Sequence, residues 1–207
     1  MNTLLEGLRR YHSEVRPRYA ETFAGLSKGQ SPEALLVTCA DSRLVPNLIT
    51  STEPGDIFVV RNVGGLVPGP RSEDRSVSSA IAFAIEALGV RDVIVCGHSS
   101  CGAMKALLHG GAPPDVEKWL SHAHECREDF HRGRAAVAEP DLSEIDRFSQ
   151  VVTLRQLEHV AEHESVAKNP GVRLHAWWFE VGSGGVHVFD RARGRFMSPD
   201  RDDAVAA

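Results

Sequence analysis

The sequence predicts an α/β fold: a mainly parallel central sheet with an antiparallel edge hairpin, flanking helices and an N-terminal helical arm. Three observations predict it. Short apolar runs at residues 34–38, 57–60 and 93–96 alternate with helical patterns, the order that builds βαβ units. Two later strand-like runs, 172–181 and 186–190, flank Ser183-Gly184-Gly185, a hairpin signal. The chain has 207 residues, 42% hydrophobic and 25% charged, enough to build a core without disulfide staples.

Residues 3–27 read as helix. Leu4, Leu5, Leu8, Tyr11 and Val15 follow helical spacing, and Tyr19, Phe23 and Leu26 continue it after a break at Pro17. Such a helix packs on its own domain or lies as an arm on a partner subunit; the pattern favours neither. Gly29-Gln30-Ser31-Pro32 leads into the first strand, 34–38, and residues 44–49 form a short covering helix. Pro54-Gly55-Asp56 turns the chain into the second strand, 57–60, which ends in Arg61-Asn62 and Gly64-Gly65. Pro68-Gly69-Pro70 and the charged run 71–75 make an exposed loop.

Residues 76–88 read as a helix, with Ser76 as N-cap, Ile81, Phe83, Ala84, Ile85 and Leu88 as its buried side, and Gly89 closing it. The strand 93–96 delivers His98, and residues 101–108 form a helix with Cys101 at its N-terminus. Residues 116–131 and 142–165 read as amphipathic helices separated by a loop at Glu139-Pro140. The tail from Pro199 reads as loose.

Net charge is −5 with acid and base mixed along the chain, which argues against a nucleic-acid groove or a membrane-binding stripe. No apolar run approaches the roughly 20 residues needed to span a bilayer. The N-terminus does not resemble a signal peptide, so the expected location is cytoplasmic. There the four cysteines, Cys39, Cys96, Cys101 and Cys126, should be reduced and available for metal binding or chemistry.

The stretch Cys39-Ala40-Asp41-Ser42-Arg43 follows the first strand, and Gly97-His98-Ser99-Ser100-Cys101-Gly102 follows the third. Strand ends of this kind are where open α/β sheets bind ligands. Cys39, His98 and Cys101 are the ligand types that zinc prefers, with a fourth position left open. The N-terminus of a helix favours the thiolate of Cys101. Alternation points Cys96 into the core, and Cys126 lies on a distant helix. Two thiolates and a neutral imidazole leave a Zn²⁺ site formally neutral, still able to yield a zinc-bound hydroxide. Asp41 has two possible roles. It fills the fourth position, or it pairs with Arg43 and accepts a hydrogen bond from the hydroxide. Phe58 supplies an apolar wall and Gln30 an amide, a pocket suited to a small neutral electrophile.

Cys39-Ala40-Asp41-Ser42-Arg43, Val59-Val60-Arg61-Asn62 and the run from Cys96 to Lys105 together resemble the β-class carbonic anhydrases. The likeness is strong from Gly29 to Leu108. It continues more weakly through Gln156-Leu157-Glu158-His159 and Leu174-His175-Ala176-Trp177 to the hairpin. It implies a single domain over 1–207, comprising an arm (1–28), a zinc-site core (29–110) and helices with an edge hairpin (111–207). It implies Zn²⁺ on Cys39, His98 and Cys101, with the Asp41–Arg43 pair beside it. The implied activity is reversible hydration of CO₂ to bicarbonate and a proton, in a homodimer or higher multiple of dimers with the cleft at the subunit interface. Gln30, Phe58 and Leu36 resemble the plant and cyanobacterial subtype, without an inhibitory second bicarbonate site. One departure stands out: Ala82-Phe83 replaces a usual Glu-Tyr, so Phe83 lines the cleft without a hydroxyl. Gly102 offers a backbone N–H to a bicarbonate oxygen. The competing readings are hydrolysis of carbonyl sulfide or carbon disulfide on the same zinc, and a non-catalytic zinc- or bicarbonate-binding scaffold.

Overall fold

Strands β1 (Ala34–Cys39), β2 (Ile57–Asn62), β3 (Asp92–His98) and β4 (Arg173–Glu180) pair in parallel, and β5 (Gly185–Asp190) and β6 (Arg195–Met197) add an antiparallel edge. The sheet order is β2-β1-β3-β4-β5-β6. This computed structural model describes residues 2–133 and 141–199, so the expected loop at Glu139-Pro140 and the tail beyond Pro199 lie outside the described residues. The chain runs from β1 to one neighbour, β2, then crosses to the other, β3. Such a reversal of strand order opens a crevice at the carboxyl ends of β1 and β3. Cys39 ends β1 and His98 ends β3.

All six residues of β1 are buried, as a central strand covered on both faces requires. Alternation divides them between two cores. Leu35 and Val37 join Val93, Val95, Ile81, Ile85 and Trp178 on one face; Leu36 joins Ile94, Cys96 and Phe179 on the other. Cys96 therefore points away from the crevice, as alternation predicts. A third cluster, with Met104, Leu107, Cys126 and Phe148, backs the crevice from the helical side and includes Cys39 and Cys101.

The helices are α1 (Asn2–Arg10), α2 (Ala20–Leu26), α3 (Pro46–Thr50), α4 (Ser76–Ala82), α5 (Gly102–His109), α6 (Pro114–Leu120), α7 (Glu125–His131), α8 (Glu144–Glu162) and α9 (Glu164–Ala167). Pro17 does not stop the N-terminal helix. A π turn over Tyr11–Val15 and a 3₁₀ turn over Arg16–Tyr19 absorb its missing N–H and join α1 to α2. Neither α1 nor α2 buries a residue, and Leu4 is 77% exposed; the arm meets its own domain near its end, where Leu26 lies against Gly55 and Tyr19 bonds to Glu53. Among the described residues no helix is long and apolar enough to cross a membrane.

Further expectations are corrected. Ser76 is not an N-cap: it begins α4, its side chain caps nothing there, and its N–H donates to Asp74 Oδ1 at 2.9 Å. Phe83 is not on the buried side. The helix widens to a π turn over Phe83–Ala87, and Phe83 stands 49% exposed while Ile81, Ala84 and Ile85 are buried. The helix expected over 116–131 is broken into α6 and α7 by a 3₁₀ turn at Ser121–Ala123. Strand β6 lies in a segment that carries no strand pattern. The Asp190 carboxylate accepts N–H bonds from Ala192 and Arg193, turning the chain so that Phe196 packs on Phe189.

Candidate metal centre

Hydrogen bonds reaching across the sheet build the crevice. Arg61, one strand over from Cys39, donates to three carbonyls of the loop after β1: Cys39 O (3.1 Å), Asp41 O (2.7 Å) and Leu44 O (2.9 Å). This satisfies acceptors that the ended strand leaves unpaired. Asn62 grips Leu66 at both its N–H and its carbonyl, closing a turn over residues 63–66. Inside it Gly64 and Gly65 adopt φ of 84° and 62°. A Cβ on Gly65 would stand 3.0 Å from the Thr38 carbonyl carbon, so glycine is required by space as well as by backbone angle. The turn aims Gly64 N–H at Cys39 Sγ, 3.4 Å away.

Cys39, His98 and Cys101 meet at the centre, all buried, with their ligating atoms within 4.8 Å of one another. The cap of α5 is Cys101 itself, in an extended conformation that turns its sulfur inward. His98 Nδ1 lies 2.9 Å from Ser99 O, which fixes the proton on Nδ1. Nε2 is buried and, among the described residues, has no hydrogen-bond partner; the nearest carboxylate oxygen there, Asp41 Oδ2, is 3.9 Å away. A buried, unpartnered imidazole nitrogen between two sulfurs fits Zn²⁺, whose sites combine these donors and whose histidines commonly hand the other N–H to a carbonyl.

Charge on the cluster points the same way. The Cys39 thiol is lowered, chiefly by the hydrogen bond from Cys101, with the Gly64 N–H adding to it against burial. Cys101 is raised, because it is the donor to Cys39 and is buried. The pair thus keeps one proton, which a cation displaces. Cys96, by contrast, is pushed up to about 12 by burial alone and is a core thiol. Cys126 is raised by burial in the same manner.

Asp41 faces Arg43 with both oxygens. Arg43 Nε donates to Oδ1 at 2.9 Å and Nη2 to Oδ2 at 2.7 Å, while the Arg43 backbone N–H adds a third bond at 3.0 Å. This fork holds the Asp41 carboxyl well below the usual carboxylate range, despite some burial. Asp41 is thus paired with Arg43. Arg43 Nη2 also reaches Ser100 O at 3.1 Å, joining the two loops.

The remaining candidates are more scattered. Phe58 and Phe83 are in ring contact, centroids 5.9 Å apart, but Phe58 pairs with Leu35, four residues before Cys39, so within one chain the two rings stand away from the cluster. Gln30 is exposed in the loop ahead of β1, and among the described residues no hydrogen bond joins it to the cluster. Gly102 begins α5, exposed, with open space where a Cβ would be. Sequence reasoning missed the residues that hold the two loops: Arg61 outside its motif, Trp119, whose indole N–H donates to Val63 O, and a polar row on α8. The row was visible as Asp146, Ser149, Thr153, Gln156 and His163, spaced three, four, three and seven apart on one helix face.

A doubly covered, mainly parallel sheet whose crevice holds a Cys-His-Cys cluster beside an Asp–Arg pair defines an α/β protein with the donor set for a metal ion at the switch point of its sheet. The carbonic anhydrase family model matches residues 34–186. The carbonic anhydrase of Pseudomonas aeruginosa is 34% identical over 204 residues, covering 96% of this chain and 91% of that protein. The structure of the β-carbonic anhydrase CcaA superposes with a TM-score of 0.88 at 32% identity, covering 98% of this chain and 93% of that one. One of two tetrameric β-carbonic anhydrases from Sordaria macrospora superposes at 0.79 with 25% identity, covering 91% and 97%. The chain belongs to the β-class carbonic anhydrases.

Proposed function

We propose that the chain catalyses reversible hydration of CO₂ to bicarbonate and a proton, with Zn²⁺ held by Cys39, His98 and Cys101. The observation that carries this is the convergence of three buried ligating atoms on a point beside an ionised carboxylate already held by a guanidinium. When bound, zinc supplies Lewis acidity that brings the pKa of a coordinated water toward neutrality. The protein supplies the rest. Asp41, ionised and therefore an acceptor only, presents an oxygen 3.9 Å from His98 Nε2, where it orients an O–H group and disfavours an oxygen that has lost its proton. Arg43 keeps that carboxylate charged and fixed in direction. Phe58 and Phe83 bound the pocket with ring carbon, which suits linear, uncharged CO₂ better than a charged substrate. Phe83, having no hydroxyl, leaves this wall apolar. Gly102 N–H and Gln30 complete the proposed substrate contacts.

The proposed assembly is a homodimer or a multiple of dimers. The exposed Leu4, Leu5, Leu8, Val15 and Phe23 of the arm and the exposed Phe83 support it, since scattered single apolar residues are ordinary but a helix carrying a row of them needs cover. Gln30, Phe58 and Phe83, placed away from the cluster within one chain, then contribute across that interface. The plant and cyanobacterial subtype is part of the same proposal, resting on Gln30, Phe58 and Leu36.

The test is stopped-flow CO₂ hydration by zinc-loaded protein at about pH 8.5, where a zinc-acidified water is largely ionised, with Cys39→Ser as control. Fast turnover that disappears in the control, together with its zinc, is the expected result. Turnover of carbonyl sulfide but not of CO₂ would overturn the substrate, and zinc binding without either activity would leave a scaffold.

A further inference from the structure

We infer that α8 is the positioning element of the metal centre, with Asp146 and Gln156 holding the two ligand-bearing loops to a common point; this rests on reading the cluster as a metal site. Asp146 Oδ1 accepts the Ser100 N–H at 2.6 Å. Ser100 lies between His98 and Cys101 and has φ of 53°, a left-handed backbone that a non-glycine residue keeps only when its surroundings enforce it. Ser149, one turn along α8, donates its hydroxyl to His98 O at 2.8 Å. One polar face of α8 thus fixes the segment that presents both His98 and Cys101.

Farther along the same face, Gln156 Oε1 accepts the Val67 N–H at 2.7 Å, and Gln156 is 1% exposed. His159 Nδ1 donates to Val67 O at 2.7 Å, and His163 Nε2 lies 3.2 Å from Pro68 O. These bonds tie down the chain just after the Gly64-Gly65 turn, the turn that aims an N–H at Cys39. The helix can lie this close to β3 because residue 97 is glycine: a Cβ there would stand 2.0 Å from Thr153 Oγ1. Among the described residues neither Asp146 nor Gln156 bonds to the cluster, although Gln156 borders the small cavity that His98 and Cys101 also line. They are positioning residues, acting through Ser100 and through Val67.

The test uses the full chain as apo-protein. Zinc affinity is measured by competition with a chromophoric chelator, the thiolate-to-metal absorption band is recorded with cobalt(II), and apo-protein melting is followed in parallel. Asp146→Ala is expected to weaken zinc binding about 10- to 100-fold and to shift the cobalt band. Asp146→Asn, which keeps an acceptor oxygen, should restore most of the affinity. A lower apo melting temperature with zinc affinity within twofold of the parent and an unmoved band would overturn the inference, because a merely structural residue gives that result. Ser149→Ala, judged by the same limits, serves if Asp146→Ala does not fold. A parent chain that binds no zinc would instead overturn the metal-site reading on which the inference depends.

Discussion

Gly97→Ala is a sharp test of the close approach between α8 and β3. The added Cβ would lie 2.0 Å from Thr153 Oγ1, whereas ordinary contact begins near 3.4 Å, so the hydroxyl must move by more than an ångström. Thr153 is only 3% exposed and its hydroxyl donates to Ser149 O at 2.8 Å, so it cannot swing into solvent. Overpacking costs about 1–3 kcal/mol and the broken hydrogen bond about 1, while replacing glycine returns about 0.4–1 through the unfolded chain. The net loss is about 2–3 kcal/mol, or roughly 4–12 °C in melting temperature for a chain of this length. The assay is thermal and urea unfolding of Gly97→Ala, Thr153→Ala and the double variant. Without Oγ1, the remaining neighbours of the new Cβ lie at 3.4 Å, so the double variant should be about 2 kcal/mol more stable than the sum of the singles predicts. Additivity to within about 0.5 kcal/mol would refute the reasoning.

Arg61→Ala removes three donors from the loop after β1 and should cost about 1–3 kcal/mol of stability together with most CO₂ turnover. Arg61→Lys should recover little, because one ammonium cannot reproduce the fork, and full activity in Arg61→Lys would count against this geometry. His159 donates to Val67 O through Nδ1 and faces Glu125 Oε1 through Nε2 at 3.1 Å, so both nitrogens carry protons in this arrangement. Burial opposes that charge, but Glu125, the Val67 carbonyl and Glu162 outweigh it and raise the His159 pKa, with His163 nearby. The resulting stability is fully present below the unfolded value of about 6.5 and is lost as pH rises through the higher folded value. Unfolding measured against pH should show that loss in the parent and not in His159→Gln; parallel curves would contradict it. Placing glutamate at Leu4, Leu8 and Phe23 together should reduce the particle mass in light scattering and abolish CO₂ hydration, and an active protein of unchanged mass would argue against a shared cleft.

Local chemistry made the Cys-His-Cys cluster legible. Cys39, His98 and Cys101 follow short apolar runs, and a strand that is buried on both faces announces itself by composition wherever it sits. The same alternation correctly removed Cys96 from the site. The Asp41–Arg43 pair is two residues apart in the chain, so its partner was readable too, whereas the two-point geometry of its fork came from the fold.

What the sequence by itself determined is the alternation of strands and helices, the hairpin at the edge, and the donor set at two strand ends, because these depend on side-chain type and short spacing. Tertiary structure alone decided how that donor set is held. Arg61 reaches its three carbonyls from a neighbouring strand, Asp146 reaches Ser100 across 46 residues, and Gln156 reaches Val67 across 89. Phe83 is exposed because, two residues after Ile81, it stands roughly 200° round the helix from that buried side chain. Helix α8 reads in sequence as one amphipathic helix among several; its polar row gains meaning only when packing against Gly97 brings it over both loops. A hydrogen bond depends on distance in space, and distance in space is set by packing that no local pattern records.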